Sequence, residues 1–363
     1  MQFQYQEQQY QIKRYPISSN KSLKPWSAAE EYALRFLEEQ AINKGKITLY
    51  NDRFGYWSIC LHAQQPICII NQKSQEKALL KNLQHNDCSL PIFCNPLQDL
   101  AHTIDTGLIK IPKSLDLFQL YLQQLSQQIH KKSIVIGCFM TKYFSPQMLS
   151  IAEQYFETVE QSRAWKKARL LILKQPKVYQ ERALLHQVPL NATQSFQQYF
   201  GVFSAKHIDY ASLFFIEHLQ VNADDQNVLD LASGNGVLAA AFRSKNSHCD
   251  LHLMDDSFLA VASSKLNLAS ENTFFHYNNN LEHFDSQSFD AVISNPPFHF
   301  EHEIDIQIPL GLFKEVERCL KIGGRFQLVA NKHLNYKTHL EKIFAQVSIT
   351  AENQKFIVYT CYK

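Results

Sequence analysis

The stretch that most limits how this chain can fold is "NVLDLASGNGVLAAAFRSK", Asn227 to Lys245. An apolar run of strand character ends on a glycine turn and passes at once into a run of helix formers. Glycine lets the backbone take positive φ and lets a ligand come close. A strand, tight turn and helix in this order is the opening unit of a parallel, doubly wound sheet. The chain has only ten glycines in 363 residues, so placing both Gly234 and Gly236 in one turn is a concentrated use of a scarce residue.

The alternation continues through the second half. "CDLHLMDD" predicts a strand ending in acids, "SFLAVASSKLNLASEN" a helix, and "TFFHYNNN" a third strand. "FDAVISN" predicts a fourth strand, residues 308–320 a helix, "IGGRFQLVAN" a turn and fifth strand, "LNYKTHLEKIF" a helix, and "AQVSITAENQKFIVYTCYK" a closing hairpin. The first half gives a weaker echo. "GKITLYNDRFGYW" reads as strand and turn, and "QPICIIN", "LPIFCNP" and "TGLIKIP" as strands. "SLDLFQLYLQQLSQQI" reads as a helix and "KKSIVIGCF" as a strand. The expectation is an α/β protein of two duplicated Rossmann-like domains. The junction falls in the polar segment 175–198 with Pro176 and Pro189, giving domains 1–185 and 186–363.

Composition excludes several classes. The start "MQFQYQEQQYQIKRYP" lacks the apolar core of a secretory signal, and no run of 18 apolar residues occurs. The eight cysteines are scattered without a CxxC pair, which reads as buried thiols in a reducing cytosol. The 15 histidines show no metal-ligand spacing, and no Ser-His-Asp arrangement is present, so a metal is not expected. The net charge of +2 hides a split: residues 1–200 carry 23 Lys and Arg against 15 acids, a net of +8, and residues 201–363 carry 13 against 19, a net of −6. A basic half points to a polyanion held by the first domain. The window "RAWKKARLLILKQPK" holds Arg163, Lys166, Lys167 and Arg169 beside Trp165 with no acid, a candidate phosphate-tracking patch.

The chemistry gathers at strand ends. In an open α/β sheet, ligands bind outside the carboxyl ends of the strands. About 20 residues after the glycine turn comes Asp255, placed to accept hydrogen bonds from ribose hydroxyls. Neither a dinucleotide fingerprint nor a P-loop is present, so a cofactor with a ribose and no pyrophosphate, S-adenosylmethionine, fits better. Asp230 precedes the turn and is placed to orient it or to meet an ammonium. Asn279, at the end of the third strand, is placed to read an adenine edge. The fourth strand ends in "SNPPFH". Asn295 offers a side-chain carbonyl and Pro296 a backbone carbonyl, held by two proline rings. Two acceptors aimed at one point suit a planar amine whose lone pair must be freed for attack. Phe298 would stack on the base that carries it, and His299 is a candidate substrate contact.

"VLDLASGNGVLA", "LMDDS", "AVASSKLN" and "SNPPFH", with "GVFSAKHID" (Gly201–Asp209) before them, resemble the class I methyltransferases that modify guanine N2 in bacterial ribosomal RNA. "PWSAAEEYAL", "LYNDRFG", "LIKIPKSL", "AWKKARL", "RCLKIGG" and "VANKHLNY" are similar to the 23S rRNA branch of that family. The resemblance implies a first domain that is a degenerate methyltransferase fold, with "NDRFG" where the glycine loop would be and "KIPKS" where Asn-Pro-Pro-Phe would be. It also implies a second domain that binds S-adenosylmethionine and acts on 23S rRNA, free or in early assembly, as a cytoplasmic monomer with no membrane contact. The 16S enzyme and a catalytically silent assembly factor are the alternatives. One departure stands out: where the family reads Asp-Leu-Gly-Cys-Gly-Asn-Gly, this chain has Ala232-Ser233 in place of Gly-Cys.

Overall fold

The computed structural model describes the chain except residues 17–22, 41, 43–44, 101–102, 179–182, 297–298, 301–302 and 305–306, and of residues 299–309 it describes the backbone elements alone. Two compact units result, Met1–Leu184 and Leu185–Lys363. No helix among the described residues is long and apolar enough to cross a membrane, and all eight cysteines are free thiols.

In the first unit the strands are β1 (Gln2–Tyr5), β2 (Gln8–Gln11), β3 (Ile47–Tyr50), β4 (Ile67–Ile69), β5 (Ile92–Cys94), β6 (Ile104–Lys110), β7 (Ile129–Met140), β8 (Phe156–Gln161) and β9 (Ala168–Pro176). The helices are α1 (Ala28–Glu39), α2 (Tyr56–Cys60), α3 (Lys73–His85), α4 (Leu115–Ser126) and α5 (Gln147–Ala152). β1 and β2 form a hairpin, and the other seven strands form one sheet in the order β5-β4-β3-β6-β7-β9-β8.

The second unit opens with the hairpin β10 (Leu185–Pro189) and β11 (Ser195–Tyr199), then α6 (Tyr210–Glu217). There follow β12 (Asn227–Leu231), α7 (Val237–Lys245), β13 (Asp250–Asp255), α8 (Phe258–Leu268), β14 (Thr273–Tyr277) and β15 (Phe289–Ser294). The short pair β16 (His299–Phe300) and β17 (Glu303–Ile304) precedes α9 (Gln307–Cys319), β18 (Leu320–Asn331), α10 (Lys337–Leu340), β19 (Gln346–Glu352) and β20 (Phe356–Tyr362). Its sheet runs β14-β13-β12-β15-β18-β20-β19. The two seven-strand orders are the same, so the duplication is real at the level of topology. In each, the first five strands are parallel and the last two close antiparallel.

The central strands are mostly apolar because helices cover both faces. Val228, Leu229, Leu231, Val292 and Ile293 are essentially inaccessible, and they divide between two apolar clusters. Helix starts carry their own signals. Ser257 accepts from Ala260 N at 3.3 Å, and Asp209 accepts from Ala211 N and Ser212 N at 3.1 and 3.3 Å.

One expected helix is shorter than the pattern suggests, and other elements lie outside the pattern. The polar segment 175–198 is more than a linker, because it contains β10 and β11. The β11 backbone N–H groups of Gln197 and Tyr199 donate to Asn267 Oδ1 and Ser263 Oγ on α8. The helix expected over "LNYKTHLEKIF" shrinks to the four residues of α10: Leu334 ends a 3-10 turn, Asn335 at φ +44° separates that turn from α10, and residues 341–343 continue as turns. In the first half, α1 and α3 are helices that the sequence pattern does not predict.

Candidate active site

The turn after β12 has the backbone form that the sequence suggested, with one strained residue. Ala232 takes φ +60°, Gly234 +55° and Gly236 +85°. The Ala232 position therefore does require the left-handed region, at a cost of about 1–2 kcal/mol for a residue with a Cβ. The two glycines differ in purpose. A Cβ on Gly236 would lie 2.8 Å from Leu268 Cδ1 and 3.2 Å from Leu253 Cδ2, so this glycine lets α7 pack. A Cβ on Gly234 would meet nothing within 4 Å, so its Cα borders open space.

Asp255 fixes that turn. Its Oδ2 accepts the Gly234 N–H at 3.0 Å and its Oδ1 accepts the Ser257 N–H at 2.8 Å. A carboxylate has about four lone-pair sites, so Asp255 retains capacity to accept from a ligand hydroxyl. Asp230 is fully buried. Its Oδ2 accepts the Ala239 N–H of α7 at 3.0 Å, and its Oδ1 has no partner. Burial is the main force on both carboxyls, pushing Asp230 up to about 7 and Asp255 up to about 6. Ser233 Oγ and Asn279 Oδ1 are also buried without partners. Unpaired buried oxygens are costly. Three of them lie at or just beyond the ends of β12 and β14, and each can accept from a ligand donor.

β15 delivers the remaining element. Ser294 Oγ donates to Leu231 O at 2.7 Å, tying the ends of β12 and β15 together. The next residue, Asn295, spends both amide hydrogens inside the protein: Nδ2 donates to Asp209 Oδ2 and to Ser212 Oγ, each at 2.9 Å. Its Oδ1 is left as an acceptor of fixed direction. Pro296 is buried beside it. Phe298 lies outside the described residues, as does the side chain of His299, which starts β16.

Sequence reasoning missed Asp209, Ser212 and Gln198. Gln198 Oε1 accepts from Asn235 Nδ2 of the glycine turn at 2.9 Å, while its own amide reaches the carbonyls of Val202, Phe203 and Ser204 at 3.3–3.4 Å. An acid just before the apolar run "YASLFFIE" was the available signal for Asp209 as a helix cap.

The first unit shows what the same frame looks like when disarmed. Tyr50 pairs with Ile109 and Ile69 as Leu231 pairs with Ser294 and Met254. By this register Leu49 stands for Asp230, Arg53 for Gly234, Ile70 for Asp255 and Lys110 for Asn295. Asn51 at φ +59° and Gly55 at +85° repeat the turn's backbone. Buried Arg53, its guanidinium carbon 4.8 Å from the Phe54 ring centre, replaces the open glycine. Lys110 Nζ reaches Glu30 Oε2 at 3.2 Å, with Glu30 at the same third position of α1 that Ser212 holds in α6. Leu49 and Ile70 leave no acid at the two positions where the second unit has Asp230 and Asp255, and the turn's own acid, Asp52, is buried and taken up by the backbone N–H groups of Trp57 and Ser58 and the Ser58 hydroxyl.

An acid in β12, an acid ending β13, an open glycine turn and an amide carbonyl ending β15 define a class I methyltransferase domain, whose cofactor is S-adenosylmethionine. Residues 193–360 match the methyltransferase small domain family, and residues 1–177 match the RLMG N-terminal domain family. The first unit thus belongs to the RLMG N-terminal domain family and the second to the methyltransferase small domain family, in a tandem arrangement whose first domain is degenerate. Among solved structures, a T. thermophilus 16S rRNA N2 methyltransferase (RsmC), in complex with AdoMet and guanosine, has the same fold. It matches 100% of this chain and 97% of its own, at 18% identity and a TM-score of 0.75. An O-methyltransferase family protein from Burkholderia thailandensis matches 42% of this chain and 57% of its own, at 13% identity and 0.36. A SAM-dependent methyltransferase from Aquifex aeolicus matches 42% of this chain and 88% of its own, at 14% and 0.34. The residues present fit the cofactor: it brings an ammonium, a ribose diol and an adenine amine, all donors, to the Asp255 carboxylate and to the partnerless oxygens Asp230 Oδ1, Ser233 Oγ and Asn279 Oδ1.

The two glycines should separate in experiment. Gly234→Ala is expected to weaken cofactor binding while the unfolding midpoint falls only by the strain of about 1–2 kcal/mol. Gly236→Ala adds overpacking of about 1–3 kcal/mol to a similar strain. Calorimetric titration and thermal unfolding of both variants read the two effects apart.

Proposed function

We propose that the chain transfers a methyl group from S-adenosylmethionine to the exocyclic N2 of a guanine in 23S rRNA. The observation that carries this reading is Asn295. Both of its N–H groups are consumed by Asp209 and Ser212, so only a carbonyl is offered to the substrate. A carbonyl acceptor suits an –NH2 group. The N2 amine of guanine is a weak nucleophile because its lone pair is delocalised into the ring. Hydrogen bonds from its protons to Asn295 Oδ1 and the Pro296 carbonyl draw the nitrogen toward tetrahedral geometry and stabilise the charge that grows on it. Phe298 stacks on the base. The cofactor supplies an electrophilic methyl on a sulfonium. Asp255 holds the ribose hydroxyls, Asp230 faces the ammonium and Asn279 accepts from the adenine. Gly234 gives the cofactor room, and Gly236 shapes the turn. No metal is required. The proton that the nitrogen sheds passes to water.

The first unit supplies RNA docking. Arg163, Lys166, Lys167 and Arg169 are all exposed around the β8–β9 hairpin tip. Lys166 and Lys167 occupy the two central positions of a two-residue turn closed by Trp165 and Ala168, at φ +46° and +62°. Asparagine and glycine are the residues such a turn prefers. Lys166 Nζ lies 4.3 Å from the Trp165 ring centre, and Arg35 covers the same ring at 5.3 Å. The match of residues 1–177 to the RLMG N-terminal domain supports the large-subunit substrate. The 16S reading is the alternative, in view of the fold shared with the small-subunit enzyme. The chain acts as a cytoplasmic monomer on free or early-assembly rRNA.

Transfer of tritium from labelled cofactor to rRNA purified from a strain lacking the gene tests the enzyme reading. Label should enter that RNA and not RNA from the parental strain, where the site is already filled. Equal, zero incorporation in both would leave a silent assembly factor. Reversing charge at Lys166, Lys167 and Arg169 should weaken RNA binding and flatten its salt dependence, by roughly 0.7–0.9 in log–log slope for each phosphate no longer neutralised. Cofactor affinity should not change. An unchanged salt slope would remove this patch from the docking surface.

A further inference from the structure

The stretch Gly201–Tyr210 is bolted to the site at both ends. Gln198 grips the carbonyls of Val202, Phe203 and Ser204 and is itself held by Asn235 of the glycine turn. Asp209 holds the amide of Asn295 at 2.9 Å. Between the anchors, Ser204 sits at φ +60° with its hydroxyl on His207 O at 2.5 Å. A loop so constrained has a set shape, and that shape turns its aromatic rings outward. Phe203 is 75% exposed and Tyr210 is 64% exposed. The His207 ring lies 4.8 Å from that of Tyr210, and Lys206 is exposed between the two anchors. The only acid in the segment, Asp209, faces inward to Asn295 and the α6 N-terminus.

A rigid loop with two outward rings and a cation does not serve the core. It does match what a single RNA strand offers: flat bases that stack on aromatic faces, and a phosphate after each. Position argues the same. Tyr210 follows directly on the residue that aims Asn295, so a strand presenting its guanine there passes over this loop. We propose that the Gly201–Tyr210 loop is a stacking ledge for unpaired bases flanking the target guanine. Phe203 and Tyr210 take one base each, and Lys206 takes a phosphate. The ledge rests on the reading of the chain as an RNA-modifying enzyme, and it adds that the substrate is held as an unpaired strand.

The test uses the full chain and a short single-stranded RNA carrying 2-aminopurine beside one guanine, with rRNA methylation as the second readout. Phe203→Ala and Tyr210→Ala should each raise the RNA Kd and the RNA KM by about tenfold to a hundredfold. Fluorescence quenching should fall with them. Cofactor affinity, kcat at saturating RNA and the unfolding midpoint should stay at parental values, which a merely structural role would not permit. Phe203→Trp and Tyr210→Phe should restore binding. If both alanine variants keep the parental RNA KM and quenching, the ledge is overturned and the methyltransferase reading stands. If the parental protein binds and quenches the RNA through these rings but methylates no rRNA, the ledge stands and the proposed reaction falls. If the alanine variants change the sedimentation of the free protein and leave quenching intact, the rings cover a second copy of the chain, and the ledge is overturned.

Discussion

Asn295→Ala is expected to slow methyl transfer by about 10²–10³ at saturating RNA and cofactor, or roughly 2.7–4 kcal/mol, the usual loss for one preorganised charge-stabilising partner. Cofactor affinity should move far less. The preorganisation is visible in the protein: two donors to Asp209 and Ser212 leave the Asn295 amide one orientation, so no reorganisation is needed when charge develops on the amine. Asn295→Asp keeps two acceptors but loses both donors and places a carboxylate 2.9 Å from where Asp209 now accepts. Partial activity with a displaced loop is expected there. Ser212→Ala removes one of the two tethers and should cost less than loss of Asn295 itself. Single-turnover kinetics read these effects on chemistry. A parental rate for Asn295→Ala would make the Asn-Pro-Pro-Phe loop a strand terminator and nothing more.

Asp255→Ala should raise the cofactor Kd by about 10²–10⁴, since two hydrogen bonds from ribose hydroxyls to a carboxylate are worth about 1.5–3 kcal/mol each. It also releases the Gly234 N–H, so Asp255→Asn is the cleaner variant, retaining an acceptor for the turn. The pH dependence follows from the same pair. Burial lifts the folded carboxyls from the ordinary 3.8 to about 7 for Asp230 and about 6 for Asp255. A raised carboxyl favours the folded state while protonated. That contribution is present below the ordinary value and is lost as pH rises through the folded one. On the proposed reading a cationic, donor-rich cofactor binds the ionised pair. Affinity should therefore be full above pH 7 and fall as pH drops through 7 and then 6, by up to about tenfold per unit for each proton that must leave. Calorimetry in two buffers of different ionisation enthalpy would count those protons. A Kd flat across this range would separate the two acids from the cofactor.

Much of the second unit was legible because each central strand is a short apolar run that stops at a glycine, an acid pair or a proline. Other elements were hidden by the polarity of their buried faces. α3 buries Ser74, Gln75 and Asn82 beside Ala78, Leu79 and Leu83, so its apolar period is broken. The β10–β11 hairpin buries only Val188, Phe196 and Gln198, too few to mark strands in a glutamine-rich segment. α10 is shorter than its sequence suggests because the stretch around Asn335 keeps a helical apolar period while the backbone leaves the helix there. Within the site, Asp230, Gly234, Asp255 and Asn295 each end or begin a recognisable element. Asp209 does not announce its partner, because its bond to Asn295 spans 86 residues and exists only once α6 packs beside β15. The Lys110–Glu30 pair was equally invisible, since it becomes meaningful only when the registers of the two sheets are compared.

The measurement that bears most directly on the central claim is mass mapping of the base modified when this protein and S-adenosylmethionine are added to total rRNA from a strain lacking the gene. The account predicts a single added methyl on the N2 of one guanine in 23S rRNA, absent when Asn295→Ala replaces the parental protein. A methyl on 16S rRNA would contradict the substrate assignment, and a methyl on adenine or on a ring nitrogen would contradict the chemistry assigned to Asn295.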